Sequence, residues 1–94
     1  MKLPKTVLVG DSIWTVKKRR GFKDRKAWGY CDPSTFTIEV KQGLSAIHTM
    51  AVFIHECMHA LEHEYDFEID HALLNQIDVY MAQFLEDNFL GHVA

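Results

Sequence analysis

The segment VFIHECMHALEHEYDFEIDH, residues 52–71, decides the fold because it joins two stretches with helical periodicity. Up to the middle of this segment, apolar side chains recur every three or four positions, which is the spacing of one face of an amphipathic helix. The pattern predicts a first helix over about residues 45–63. Its apolar face consists of Ile47, Ala51, Ile54, Met58, Leu61 and Tyr65.

A second helix is predicted after the connection EYDFEI, whose length is usual for a loop between antiparallel helices. Asp70 is a suitable N-cap, because its carboxylate can accept hydrogen bonds from the first backbone N–H groups. Gly91 is a suitable stop signal, so we expect this helix to reach about residue 89. Its apolar face consists of Leu74, Ile77, Met81, Phe84 and Leu85.

The residues before the helices have the pattern of two β-hairpins. KTVLVGDSIWTVKK, residues 5–18, predicts two strands around a Gly-Asp turn. AWGYCD and TFTIEVK, around the turn DPST, predict a second hairpin over residues 27–41. The predicted fold class is therefore α+β, with a small antiparallel sheet of three to four strands followed by an antiparallel two-helix hairpin. We expect residues 1–94 to form a single domain.

Charge is divided unevenly along the chain. All ten Lys and Arg residues lie within residues 1–41, seven of them in KKRRGFKDRK at 17–26, whereas nine of the thirteen acids lie beyond residue 41. Such a division predicts a dipolar surface potential. A run of like charge is usually a solvated loop, and contact with nucleic acid phosphates is the alternative for residues 17–26.

Composition also bears on the cellular setting. No stretch approaches the roughly 20 apolar residues that cross a bilayer, and MKLPKTVLVG lacks the apolar core of a signal peptide. We therefore expect a cytoplasmic protein without a membrane partner. Cys31 and Cys57 are too few for a disulfide framework, and both are predicted to be reduced.

The motif HECMH, residues 55–59, is typical of a zinc site. His55 and His59 are four residues apart, so they lie on the same helix face and their imidazoles can converge on one ion. Glu56 is rotated by about 100° around the axis, which makes it a poor ligand but a well-placed neighbour. Zinc lowers the pKa of a bound water to about 7, and a carboxylate beside that water can act as general base.

A catalytic zinc usually has a third protein ligand. In a straight helix His63 lies about 12 Å along the axis from His55, too far for one ion, so a surface position is favoured for His63 and a ligand role is its alternative. His71 begins the second helix and is predicted to face His59, with Glu68 as a reserve ligand from the connection. Asn75 and Asp78 could orient the ligands through hydrogen bonds.

HECMHALEHEY followed by DHALLNQIDVYMAQFLEDN resembles the minimal zincin-type metallopeptidases, which are related to the SprT-like group and frequently encoded by bacteriophages and prophages. GYCDPSTFTIEV is similar to the strand, turn and strand that precede the zinc helix in that family, so the resemblance covers most of the chain. It implies that His55, His59 and His71 are the zinc ligands and that Glu56 is the catalytic base. Relatives often have an acidic residue at the third position, where this chain has histidine.

Zinc-dependent hydrolysis of a peptide or protein substrate is the favoured function. We expect an extended substrate to pair with a free edge of the sheet, for which the strand over residues 35–41 is a candidate. The spacing does not select an oxyanion-stabilising group among His48, Tyr65 and Tyr80. The alternative function is that of a catalytically silent binding module in which zinc holds the helical hairpin together.

Overall fold

Four strands precede two helices in the computed structural model, which describes residues 3–90. The α+β fold class is therefore as predicted. The strands are β1 (Thr6–Val9), β2 (Ser12–Arg19), β3 (Gly29–Asp32) and β4 (Thr37–Lys41). The helices are α1 (Ala46–Tyr65) and α2 (His71–Leu85), followed by a π-helical turn at Glu86–Leu90.

The sheet is mixed rather than wholly antiparallel. β1 and β2 form one antiparallel hairpin around Gly10, and β3 and β4 form the other. The hairpins join through β2 and β4, which run parallel with Thr15 opposite Thr37, so the strand order is β1-β2-β4-β3. The segment after β2 carries the chain past the position of β4, and β4 then enters between β2 and β3. The prediction of an antiparallel sheet is therefore wrong for the pairing of β2 with β4.

The basic segment at 17–26 is only partly a loop. β2 continues through Arg19, so the first three basic residues lie in a strand. Arg19 pairs with Glu39 of the neighbouring strand at 3.4 Å, and its guanidinium lies 5.5 Å from the ring centroid of Phe22. All seven basic side chains are exposed, as their density predicted.

Both helices have N-caps with side-chain oxygens. Ser45 accepts a hydrogen bond from the His48 N–H at 3.3 Å, and α1 ends at Asp66, whose φ is +54°. Asp70 accepts hydrogen bonds from the N–H groups of Ala72 and Leu73, so the predicted cap of α2 is confirmed. The predicted stop at Gly91 lies outside the described residues.

The core lies on two sides of α1, since this helix packs between the sheet and α2. The sheet and α2 therefore bury different residues of α1. The single apolar stripe predicted from the sequence accounts for only part of the buried surface of this helix. Three predicted core residues are exposed: Tyr65 by 61%, Met81 by 36% and Phe84 by 59%. The sheet-side cluster contains Val9, Trp14, Ile38, Val40, Val52 and Ala60, and the cluster facing α2 contains Met50, Ala51, Ile54 and Ala82.

Within residues 3–90, neither helix combines the length and apolar character needed to cross a bilayer.

Candidate metal centre

α1 and α2 bring three imidazoles to one point. His55 and His59 lie one turn apart on α1, and their Nε2 atoms are 3.2 Å apart. His71, in the first turn of α2, offers a ring nitrogen within 4.8 Å of both. The ring centroids are 4.9, 5.2 and 5.4 Å apart. The structure thus places together the three histidines that the sequence analysis selected.

These distances suit a tetrahedral metal ion. Zn–N bonds of about 2.0–2.1 Å place two ligand nitrogens of a tetrahedron about 3.3 Å apart. The pair on α1 already has this separation. His71 is exposed, so its ring has room to approach the other two. The three residues can therefore hold one metal ion.

Carboxylates orient the two histidines of α1 through their other ring nitrogens. Asp78 Oδ2 lies 3.0 Å from His55 Nδ1, and Glu62 Oε1 lies 2.6 Å from His59 Nδ1. When each Nδ1–H donates to its carboxylate, both Nε2 lone pairs point to the common centre. Asn75 Nδ2 lies 3.3 Å from His71 Nδ1. The predicted positions of Asp78 and Asn75 beside ligands are therefore found.

Glu62 was not among the site residues predicted from the sequence. Its carboxylate also accepts the Ile69 N–H at 2.7 Å, so it ties the connection between the helices to the His59 ring. This backbone hydrogen bond and the bond from His59 hold the pKa of Glu62 below its ordinary value. The available signal was the three-residue spacing from His59, which places both side chains on one helix face.

Burial adjusts the ionisation of the two adjacent motif residues. Loss of solvent lowers the pKa of His55, against the hydrogen bond to Asp78, and so favours the neutral imidazole that binds metals. Glu56 is only 8% exposed, and its burial raises its pKa to about 7, with His59 acting in the opposite direction. A carboxyl group that titrates near neutral pH is suited to acid–base chemistry.

A cleft of about 670 Å³ opens over the histidines. Residues 26–31 and Pro33 form the wall on the strand side. The helix side contains the three histidines, Glu56, Asn75 and Asp78. This volume is within the usual range of ligand sites, so the small chain still has space for a substrate segment.

The edge strand beside this cleft is β3. β4 lies between β2 and β3, so the expectation that residues 35–41 offer a free edge is wrong. Trp28 O accepts the Lys41 N–H at 2.8 Å, which makes residues 28 and 41 a hydrogen-bonded pair. In an antiparallel ladder, hydrogen-bonded pairs alternate with pairs that exchange no hydrogen bond. The N–H and C=O groups of Gly29 and Cys31 therefore point away from β4, to the free side of the sheet.

The alternative zinc ligands and the oxyanion candidates lie outside the group of three histidines. His63 is exposed, and its ring packs edge-on against Trp14 with centroids 6.2 Å apart. Glu68 is exposed and is not in the histidine group found among residues 3–90. In the described part of the chain, the cleft lining does not include the oxyanion candidates His48, Tyr65 and Tyr80.

Cys31 and Cys57 are free thiols near the site. Burial raises the pKa of each thiol to about 12. Glu56, Asp32 and Glu62 add to the shift at Cys31, whereas Cys31 and then Glu56 add to it at Cys57. Both therefore carry a proton at neutral pH, and neither is a thiolate nucleophile or metal ligand in this state.

Comparisons with protein-family models, curated proteins and solved structures give no match to this chain.

Proposed function

We propose that the chain is a zinc metallopeptidase of the HExxH type, with His55, His59 and His71 as ligands and Glu56 as general base. Its main support is the meeting of three imidazoles and a buried carboxylate at one open cleft. Structural zinc sites usually have four protein ligands, whereas catalytic sites have three and keep one position open. The same motif supports the proposed kinship with the SprT-like zincins.

The division of chemical roles follows from the positions of the residues. A zinc ion at these imidazoles would supply a Lewis acid that polarises a peptide carbonyl and lowers the pKa of a water molecule. Glu56 would accept a proton from the water and return it to the nitrogen of the departing amine. Burial raises the pKa of Glu56 to about 7 without an ion, and the positive charge of a nearby zinc would lower it, so the carboxylate form that accepts a proton would be populated at neutral pH.

The substrate would be an extended peptide that adds to the edge of β3. Gly29 and Cys31 offer backbone donors and acceptors on that side, next to the histidines. Pairing through the backbone fixes the peptide without selecting its side chains. It would hold a scissile bond over the cleft in a defined orientation, which lowers the entropic part of the reaction barrier.

Glu56→Gln tests the proposal, because an amide fills the same space but cannot accept the proton. The variant should retain zinc and lose hydrolysis of an unfolded protein substrate, by at least about 100-fold. His63→Ala is the matched control, since it removes a histidine from the same helix outside the cluster. Cleavage by the zinc-loaded Glu56→Gln variant at the rate of the unmodified protein would contradict the assignment.

A zinc-stabilised binding module is the second candidate, because the three histidines connect two helices. Leu74 and Ala82 are the only buried residues of α2. An ion shared with α1 would therefore add substantially to the packing of α2 against α1. The exposed basic side chains of residues 17–26 would then be the nucleic acid contact. Chelation separates the candidates: a structural ion predicts loss of helical circular dichroism, whereas a catalytic ion predicts a folded, inactive protein.

A further inference from the structure

Charged residues of opposite sign flank the two ends of β3. Lys26 lines the cleft at one end, preceded by the exposed side chains of Lys23 and Arg25. This end lies by the first turn of α1, because the rings of Trp28 and His48 have centroids 5.8 Å apart. It is the positive end of the strand.

β3 runs from this positive end towards the connection between the helices. Trp28, just before β3, lies beside His48, and Gly29 lies beside Val52 and Glu56. The chain therefore advances towards the carboxyl end of α1 as it enters β3. Pro33, just beyond β3, lines the same cleft as His71. Because residues 66–70 connect the carboxyl end of α1 to α2, the distal end of β3 lies towards the amino end of α2.

That distal end is acidic. Asp32 closes β3, while Glu68 and Asp70 precede His71 and are exposed. Ser34 donates hydrogen bonds to Asp32 through its N–H at 3.0 Å and its hydroxyl at 2.6 Å, which favours the ionised carboxylate. The chain has no Lys or Arg after residue 41 to compensate these charges.

We infer that the edge of β3 beside the cleft selects charge-polarised peptides, with a basic side chain at the Asp32 end and an acidic side chain at the Lys26 end. This inference rests on the proposed peptidase function and names its substrate class. Antiparallel pairing is the more stable arrangement and places the peptide's amino end at Asp32. The basic residue of the peptide is then amino-terminal to its acidic residue.

The test measures peptide binding to the zinc-loaded Glu56→Gln protein, so that cleavage does not interfere. Three end-capped, fluorescently labelled decapeptides are compared by anisotropy. The first has two lysines near its amino end and two aspartates near its carboxyl end, the second has these in reverse order, and the third is uncharged. The first should bind roughly tenfold more tightly than the second, the expected sum of a few exposed ion pairs. The preference should shrink in 0.5 M salt.

Lys26→Glu should abolish or reverse the preference between the two charged peptides. Lys5→Glu makes the same change in net charge on an exposed residue outside the cleft lining, and it should leave the preference intact. Equal affinities for the charged peptides, a preference for the reverse order, or no binding at all would overturn the inference. Cleavage of the uncharged peptide by the unmodified zinc-loaded protein reports on the proposed function separately, because that reaction requires no charge recognition.

Discussion

Gly29 of β3 lies directly against Glu56 of α1. A β-carbon on Gly29 would be 2.8 Å from Glu56 Oε2 and 2.6 Å from Val52 Cγ1, closer than such contacts occur. The edge strand and the motif helix therefore approach each other at a point where only glycine fits. This contact places the free edge of β3 beside the carboxylate that we propose as the base.

Gly29→Ala should displace β3 or the Glu56 side chain. An added methyl group in a packed contact costs about 1–3 kcal/mol, and any displacement of Glu56 would also reduce hydrolysis. Urea unfolding and the cleavage rate are the measurements. Gly21→Ala is the matched control, because nothing lies within 4 Å of a β-carbon at that position. Equal effects of the two substitutions would show that the approach of β3 to α1 is not close.

Asp78→Asn and Glu62→Gln should each weaken zinc binding by about 10- to 100-fold, because each removes the carboxylate that orients a ligand ring. Competition with a chromophoric chelator measures the affinity. Glu68→Gln neutralises an exposed carboxylate outside the histidine group and should leave the affinity within about twofold. A large effect of Glu68→Gln would instead identify it as the reserve ligand.

The contribution of the Glu56 carboxyl to the stability of the metal-free protein should fall as pH rises from about 4.5 to 7. The folded pKa of Glu56 is about 7 against an ordinary 4.5, so in this window the folded state keeps a proton that the unfolded state has released. Stabilisation by the protonated carboxyl is complete below pH 4.5 and is lost as pH passes the folded pKa. The loss is on the order of 3 kcal/mol.

Glu56→Gln isolates this contribution, because glutamine does not titrate. The lowered pKa of His55 gives a slope of opposite sign, but both proteins contain this histidine and the difference between them removes its effect. The unfolding free energy of the variant relative to the unmodified protein should rise across the window, as measured by urea titrations at several pH values. A constant difference would mean that Glu56 is solvated in the folded state.

The helices and the histidine group could be predicted because their geometry is local. A spacing of four residues fixes His55 and His59 on one face, and a short connection with an N-cap at Asp70 restricts where His71 can lie. The strand order could not be predicted. Either strand of each hairpin could have paired with the other hairpin, and no local pattern favours β2 with β4.

The burial of α1 on two faces was missed for a related reason. Periodicity detects one apolar stripe, but α1 contacts both the sheet and α2, so Val52 and Ala60 are buried on a second side. Glu62 was missed because an exposed-helix glutamate and a histidine-orienting glutamate have the same sequence pattern. Only the position of the Ile69 N–H distinguishes them.

Zinc binding by the unmodified, His71→Ala and His63→Ala proteins tests the central claim most directly. We predict about one zinc ion per chain in the unmodified protein. Loss of a residue that only hydrogen-bonds a ligand weakens zinc binding by roughly 10- to 100-fold, and removal of the ligand His71 should weaken it by more. Removal of His63 should leave zinc binding unchanged. No bound zinc, or equal affinity in the unmodified and His71→Ala proteins, would contradict a metal centre shared by the two helices.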